Sequence, residues 1–377
     1  MKLNKVVIAI MIPMALLAII SCNNANGSGI NNAKKHSAES VTLNNIANYI
    51  AGLETDTSWE QKRLTKFADW QKYKAESKNA WEKFYKEASK YSAFAQKEIP
   101  HKYDTIETLF YPFSGPDFLF ANTLFPKVKN IILIGLEKPG SVPKLQNLDE
   151  KNLADVLNLY KKAIEDVMQL SFFRTLDMKE ELANSNIDGT TPVLMLFLVR
   201  SEKRINKVEY INLNENGNLV VVDPEKVKDY IGVKIYYTDK DNEVEKTILY
   251  LSTNLADPSL SKDKAFMAFL KNIDNPCITL VKSATYLMHK SYFSIIRNTC
   301  LEHSALIVQD DSGIAYKFFA PEKWDLSLYG SYTKPIKLFE EFYEPELTKA
   351  FETKKAKPIN FRFGYSQKSC ILIAERK

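Results

Sequence analysis

The sequence predicts an α+β fold, with a mixed, largely antiparallel sheet, packed helices and a helical N-terminal segment. Three observations predict it. Between residues 57 and 100 apolar side chains recur at three- and four-residue spacing, the period of an amphipathic helix. Beyond Pro100 the texture changes to short apolar or alternating runs bounded by turn-forming residues, as strands are. Helical periodicity returns between those runs. The composition, 45% apolar with only 12 glycines, suits a packed body able to bury a sizeable core.

Taken in order, residues 43–53 read as a short helix, and Thr57-Ser58-Trp59-Glu60 has the spacing of a capping box opening a longer one. Phe67, Trp70, Ser77, Trp81, Phe84, Ala88, Tyr91 and Ala95 then share one face, interrupted by Lys74 and ended by Pro100. This aromatic stripe is expected to pack on the body, the alternative being a surface for another protein or a ligand. Residues 130–136 read as a buried strand and 149–170 as a helix. Residues 193–200 and 207–213, around the polar Lys203-Arg204-Ile205-Asn206, suggest a hairpin more than a helix, although an all-apolar run does not distinguish the two. A clearer hairpin joins 233–238 to 245–251. Next come a helix at 259–270, a strand at 277–281, one helix or two over 286–301, and strands at 305–309 and 314–319 joined by Asp310-Asp311-Ser312-Gly313. Two short helices around Phe339 and Leu347 precede strands at 360–364 and 370–374.

At the N-terminus, Lys2 and Lys5 precede an apolar run, residues 6–20, broken only by Pro13. That is the layout of a signal peptide, and the run is short of the about 20 residues that span a bilayer. Ile19-Ile20-Ser21-Cys22 resembles the lipobox of bacterial lipoproteins. The resemblance implies that the Cys22 thiol is acylated, that the chain is cut before it, and that the protein is exported and anchored to the membrane by lipid. An ordinary secretory signal with an incidental cysteine is the alternative. With no Asp after Cys22, the outer membrane is the expected address in a Gram-negative host, and with no acidic cluster its periplasmic leaflet.

The chain is thus organised as signal peptide (1–21), flexible tether (22–40), helical segment with a long amphipathic helix (41–100) and α+β body (101–377). The tether is expected because Asn23-Asn24-Ala25-Asn26-Gly27-Ser28-Gly29 and the polar stretch on to Ser40 are poor in apolar residues. Cleavage would remove Lys2 and Lys5, so the formal charge of +5 becomes +3, too mild to imply nucleic acid. Cys277, Cys300 and Cys370 remain, permitting at most one internal disulfide.

Common catalytic signatures are missing: no His-Glu-x-x-His, no Gly-x-Ser-x-Gly, no glycine-rich phosphate loop and no Cys-x-x-Cys. Four histidines, one of them His36 in the tether, make a metal site a poor expectation, and no cofactor is expected. Tyr111-Pro112-Phe113-Ser114-Gly115-Pro116-Asp117 fixes a tight backbone before an apolar helix. Ser114 and Asp117 could cap that helix, or the turn could receive a ligand with Tyr111 and Asp117 beside it. His289 is a candidate general base if the chain returns Asp310 and Asp311 to it. Cys300 and His303 are three apart, but no oxyanion element accompanies them. Tyr329 and Tyr332 flank Gly330 and could stack on a ligand or close the core.

Four segments, Tyr-Pro-Phe-Ser-Gly-Pro-Asp at 111–117, Gly-Leu-Glu at 135–137, Gln-Asp-Asp-Ser-Gly at 309–313 and Tyr-Gly-Ser-Tyr at 329–332, resemble an uncharacterised bacterial envelope protein family. That resemblance implies export and lipidation and no chemistry. Two functions stand as expectations: a non-enzymatic binding or scaffolding lipoprotein for an envelope protein or small ligand, or an envelope hydrolase using His289 with Asp310, Asp311 and Ser114. Cys22→Ala should yield unlipidated protein, released from membranes or left unprocessed. Mass spectrometry of the mature N-terminus checks this, and an unmodified Cys22 in membrane-extracted protein would refute it.

Overall fold

The computed structural model describes residues 26–55, 59–145, 149–170, 189–365 and 369–377. The signal peptide, Cys22 and the first two residues of the capping box, Thr57 and Ser58, lie outside the described residues. Among the described residues ten strands form one sheet: β1 (Thr108–Tyr111), β2 (Asn130–Gly135), β3 (Lys203–Leu213), β4 (Leu219–Val222), β5 (Gly232–Asp239), β6 (Asn242–Ser252), β7 (Cys277–Val281), β8 (Ser304–Gln309), β9 (Trp324–Gly330) and β10 (Cys370–Arg376). Their order is β4-β3-β5-β6-β2-β1-β7-β8-β10-β9. Five pairings are antiparallel and occupy the two wings, while the four pairings that join β6, β2, β1, β7 and β8 are parallel. The fold is α+β with a mixed sheet.

The parallel centre explains the apolar runs. β1 and β7 are buried along their whole length, because helices cover both faces. Alternate residues go to opposite layers. Leu109, Tyr111, Leu133, Tyr250, Ile278 and Leu280 belong to one core, Phe110, Ile132, Ile134, Leu249, Leu251 and Val281 to the other. On the first face lie α1 (Asn26–Ile50), α3 (Ala68–Glu98), α4 (Phe118–Leu124), α5 (Glu150–Leu170) and α6 (Thr191–Arg200), with α2 (Trp59–Leu64) contributing Leu64. The second face holds α7 (Asp257–Leu260), α8 (Lys264–Asn272) and α9 (Ser294–His303), while α10 (Pro345–Thr353) packs against the β9–β10 wing.

Several elements differ from the sequence reading. Residues 193–200 form helix α6, not a strand. Pro192 sits in its first turn, where its missing N–H costs nothing, and every residue of α6 is buried, so no polar face betrays the helical period. The polar residues 203–206 belong to β3 instead of a turn. Residues 314–319 form no strand. The Gln309 amide accepts from the Ile314 N–H at 2.9 Å and donates to its carbonyl at 2.8 Å, so the backbone is satisfied locally and continues into a 3₁₀ turn at Tyr316–Phe318. Residues 360–364 are also irregular, because β10 finds both its partners in β8 and β9. The helix expected at 259–270 divides into α7 and α8, the latter capped by Asp263, whose carboxylate accepts the Phe266 N–H at 2.9 Å. The long helix breaks at Phe67, which is extended. Helix α1 begins at Asn26, inside the stretch read as tether.

The helical segment is joined to the body through the end of α1. A helix leaves its last carbonyls without partners. Here Trp70 Nε1 donates to Tyr49 O at 3.0 Å, Tyr73 Oη to Ile50 O at 2.6 Å and Arg200 Nε to Ala51 O at 2.9 Å, so α3 and α6 together cap it. Arg200 also lies 5.4 Å from the centre of the Trp81 ring, which meets Phe84 and Phe197 edge-on. The stripe is therefore core. Among the described residues no helix is long and apolar enough to cross a membrane. Trp81→Ala should cost about 3–5 kcal/mol and Phe84→Ala about 3 kcal/mol or more, seen as lowered midpoints in denaturant or thermal melts. Wild-type melts with lost binding to an envelope partner would make the stripe an interface.

Candidate functional site

β1 is followed by β2 on one side of it, whereas β7 pairs with its other side and is followed by β8 beyond. The strand order therefore reverses between β1 and β7. In open parallel sheets, ligands bind in the crevice outside the carboxyl ends of the strands at such a switch point. The loops after β1, β2, β7 and β8 meet there. β9 runs in the direction of β8, because both are antiparallel to β10, so its end lies on the same edge. All four segments singled out in the sequence, at 111–117, 135–137, 309–313 and 329–332, are thus gathered along one edge of the sheet.

Most of the candidate side chains form a buried polar knot. Asp117 caps α4 by accepting the Phe120 N–H at 3.2 Å, accepts the Tyr111 hydroxyl at 2.9 Å and lies 3.4 Å from Lys282 Nζ. Lys282 is buried and sits 3.8 Å over the Phe120 ring; burial pushes its pKa down, against the pull of Asp117 and Asp310. Asp310 accepts the N–H groups of Ser283 at 3.0 Å and Ser312 at 3.1 Å, and the Ser312 hydroxyl at 2.6 Å. Burial, and then the adjacent Asp311 charge, hold the Asp310 carboxyl well above the usual carboxylate range. Asp311 is raised by burial too and accepts from Tyr286 Oη and, at 3.5 Å, from Cys370 Sγ. Ser114 is no helix cap: its hydroxyl accepts the Ile134 N–H at 3.1 Å and fastens the β1 loop to β2.

His289 lies beside this knot but is not served by its carboxylates. Its hydrogen bond is to the Asp311 backbone, its ring packs 5.1 Å from Tyr286 and 5.8 Å from Phe342, and Nε2 is buried without a partner. Burial pushes its pKa down to about 4, so the imidazole is neutral at physiological pH. Tyr329 and Tyr332 face elsewhere. Tyr329 packs on Phe94 and donates to Glu98 at 3.1 Å, while the Tyr332 hydroxyl accepts the Glu344 N–H at 3.2 Å beside Phe351. The thiols of Cys277, Cys300 and Cys370 are buried and free, and His303 bonds the Ile273 carbonyl at 3.1 Å. Among the described residues no group of His, Cys, Asp and Glu is placed to hold a metal ion.

What opens at the switch point is an apolar cleft of about 300 Å³. Phe113, Ile134, Leu136, Leu255, Leu287 and Phe293 supply most of its wall; Gly135, Thr253, Asn254, Ala284 and Thr285 complete it. Phe113, Gly135 and Leu136 fall within segments singled out in the sequence, but none of the lining residues was itself named as a candidate, since the wall is assembled from loops far apart in the chain. The backbone around it is strained. Of the six non-glycine residues with positive φ among the described residues, Phe113, Ser283, Thr285 and Tyr286 lie in the β1 and β7 loops, and such strain concentrates at ligand sites. Lys282 was also missed as a partner of Asp117. Its signal was a lysine directly after a largely apolar strand, Cys277–Val281.

The chain matches no family model, and neither the curated proteins nor the solved structures compared with it gave a match. Asp117→Ala removes a cap and leaves Lys282 buried without its nearest countercharge, and should cost about 3 kcal/mol or more in chemical unfolding. Asp117→Asn, which keeps the cap, should fall between it and wild type. A wild-type unfolding midpoint for Asp117→Ala would show that the pair holds nothing together.

Proposed function

We propose that this chain is a lipid-anchored bacterial envelope protein whose body binds a small apolar ligand in the cleft at the carboxyl edge of the sheet. The observation that carries the binding half is the make-up of the cleft. It is concave, of ligand-pocket size, and none of its eleven described lining residues is ionisable. Catalysis by proton transfer needs an acid or base within reach of substrate. The carboxylates of Asp310 and Asp311 are buried and bonded inside the protein, and they face the hydroxyl, thiol and backbone groups already named. A binding body is therefore favoured over the envelope hydrolase.

The anchoring half rests on Lys2, Lys5, the apolar run to Ile20 and the lipobox-like Ile19-Ile20-Ser21-Cys22. The lack of a membrane-crossing helix among the described residues is compatible with attachment through lipid on Cys22. The periplasmic leaflet of an outer membrane is the location this reading favours.

A neutral fluorescent probe, N-phenyl-1-naphthylamine, should bind the protein saturably at one site with enhanced emission. Leu136 is 43% exposed at the cleft, so Leu136→Asp should leave the fold intact while placing a charge there and weakening probe binding roughly tenfold, about 1.4 kcal/mol. No saturable binding, or binding unchanged by Leu136→Asp, would overturn the reading.

A further inference from the structure

We propose that the cleft selects a neutral amphiphile with a single alkyl chain, its small uncharged head lying against Thr253 and Asn254. This rests on the reading of the cleft as a ligand site. The shape argues for a chain. The wall is drawn from the ends of β6, β2, β1 and β7, four neighbours in the sheet. Three strand spacings separate the outermost of these strands by about 14 Å. A volume of about 300 Å³ spread across those strand ends suits an extended chain more than a compact group. A single ring needs less space, since about 150 Å³ holds benzene.

The chemistry of the wall argues for a neutral head. With no ionisable side chain among the described lining residues, a ligand's charge would be desolvated without a partner there. Glu137, buried behind the wall, adds a reason against an anion; its carboxylate accepts from the Leu136 N–H at 3.0 Å and from Tyr250 Oη at 3.1 Å. Gly135 keeps that carboxylate close, because a Cβ there would stand 2.5 Å from Glu137 Oε2. The polar groups of the wall suit a hydroxyl or amide. Asn254 Oδ1 accepts the Ala256 N–H at 3.0 Å, which orients the side chain and leaves its NH₂ to donate to a ligand oxygen. Thr253 Oγ1 can donate or accept beside it. Thr285 contributes less, its hydroxyl being engaged with Tyr365 Oη at 2.9 Å.

The test is displacement of N-phenyl-1-naphthylamine from the full chain at pH 8 by 1-octanol, octanoate, octylammonium and p-cresol. The expected result is that 1-octanol displaces the probe with a Kd at least tenfold below those of both ions and of p-cresol. Thr253→Lys, at a half-exposed position, should improve octanoate binding at least tenfold by giving its carboxylate a countercharge. Ions binding within threefold of 1-octanol, or octanoate binding unchanged by Thr253→Lys in a folded variant, would overturn selection of a neutral head. Displacement by p-cresol and not by 1-octanol would overturn the alkyl class while leaving the cleft a ligand site. Failure of the probe itself to bind would remove the underlying reading as well. Should Thr253→Lys not fold, the comparison of the four ligands on the wild-type protein decides.

Discussion

The contact between Lys282 and Asp117, both buried, ties together the parts of this protein that a ligand would meet. Lys282 follows β7 directly and Asp117 opens α4, which follows β1, so the pair spans the point where the sheet reverses its strand order. Taking two charges out of water is costly, and such a pair adds little net stability over an apolar one of the same shape. Its effect is on arrangement. With both groups buried and 3.4 Å apart, the contact fixes the β1 and β7 loops against each other. Tyr111, on β1 itself, and Asp310, after β8, complete the surroundings and bring three adjacent parallel strands under the same constraint.

The knot and the cleft are two sides of one construction. Ser283 donates its N–H to Asp310, and Ala284 donates its N–H to the Ser312 hydroxyl at 2.7 Å. The next residues along, Thr285 and Leu287, are wall. Four positive-φ residues would relax if their surroundings let them, and the buried aspartates supply the hydrogen bonds that hold two of them, Ser283 and Tyr286, while Thr285 is held by Tyr365. Rigid support behind an apolar wall is what keeps a binding site shaped in the absence of ligand. This assigns the acidic turn at 310–312 a supporting part, consistent with carboxyl groups whose burial favours their neutral forms.

The helical segment is integrated by similar means. The carbonyl end of α1 accepts from Trp70, Tyr73 and Arg200, so the end of one helix is closed by side chains of two others. Ser40 Oγ, nearer the start of the chain, donates to the Ile205 carbonyl on β3 at 2.6 Å. The described residues of 41–100 therefore share one hydrophobic core with the α+β body.

Local physics sufficed for a good deal. The aromatic stripe from Trp70 to Ala95 could be read because a helix exposed on one side displays its period. The 233–251 hairpin was legible from alternation around a polar turn, and Asp117 as a cap because a short carboxylate before an apolar run has few other places to go. Sequence alone also supplies the basis for expecting export and lipid attachment, in the run before Cys22. It could not decide α6, where every residue is buried and helix and strand look alike. It could not aim Tyr329 or Tyr332, whose hydroxyls found partners in Glu98 and Glu344 through packing. Nor could it pair Lys282 with Asp117 or assemble the cleft, because those contacts join residues more than a hundred apart, and which loops meet is set by strand order, a property of the whole sheet.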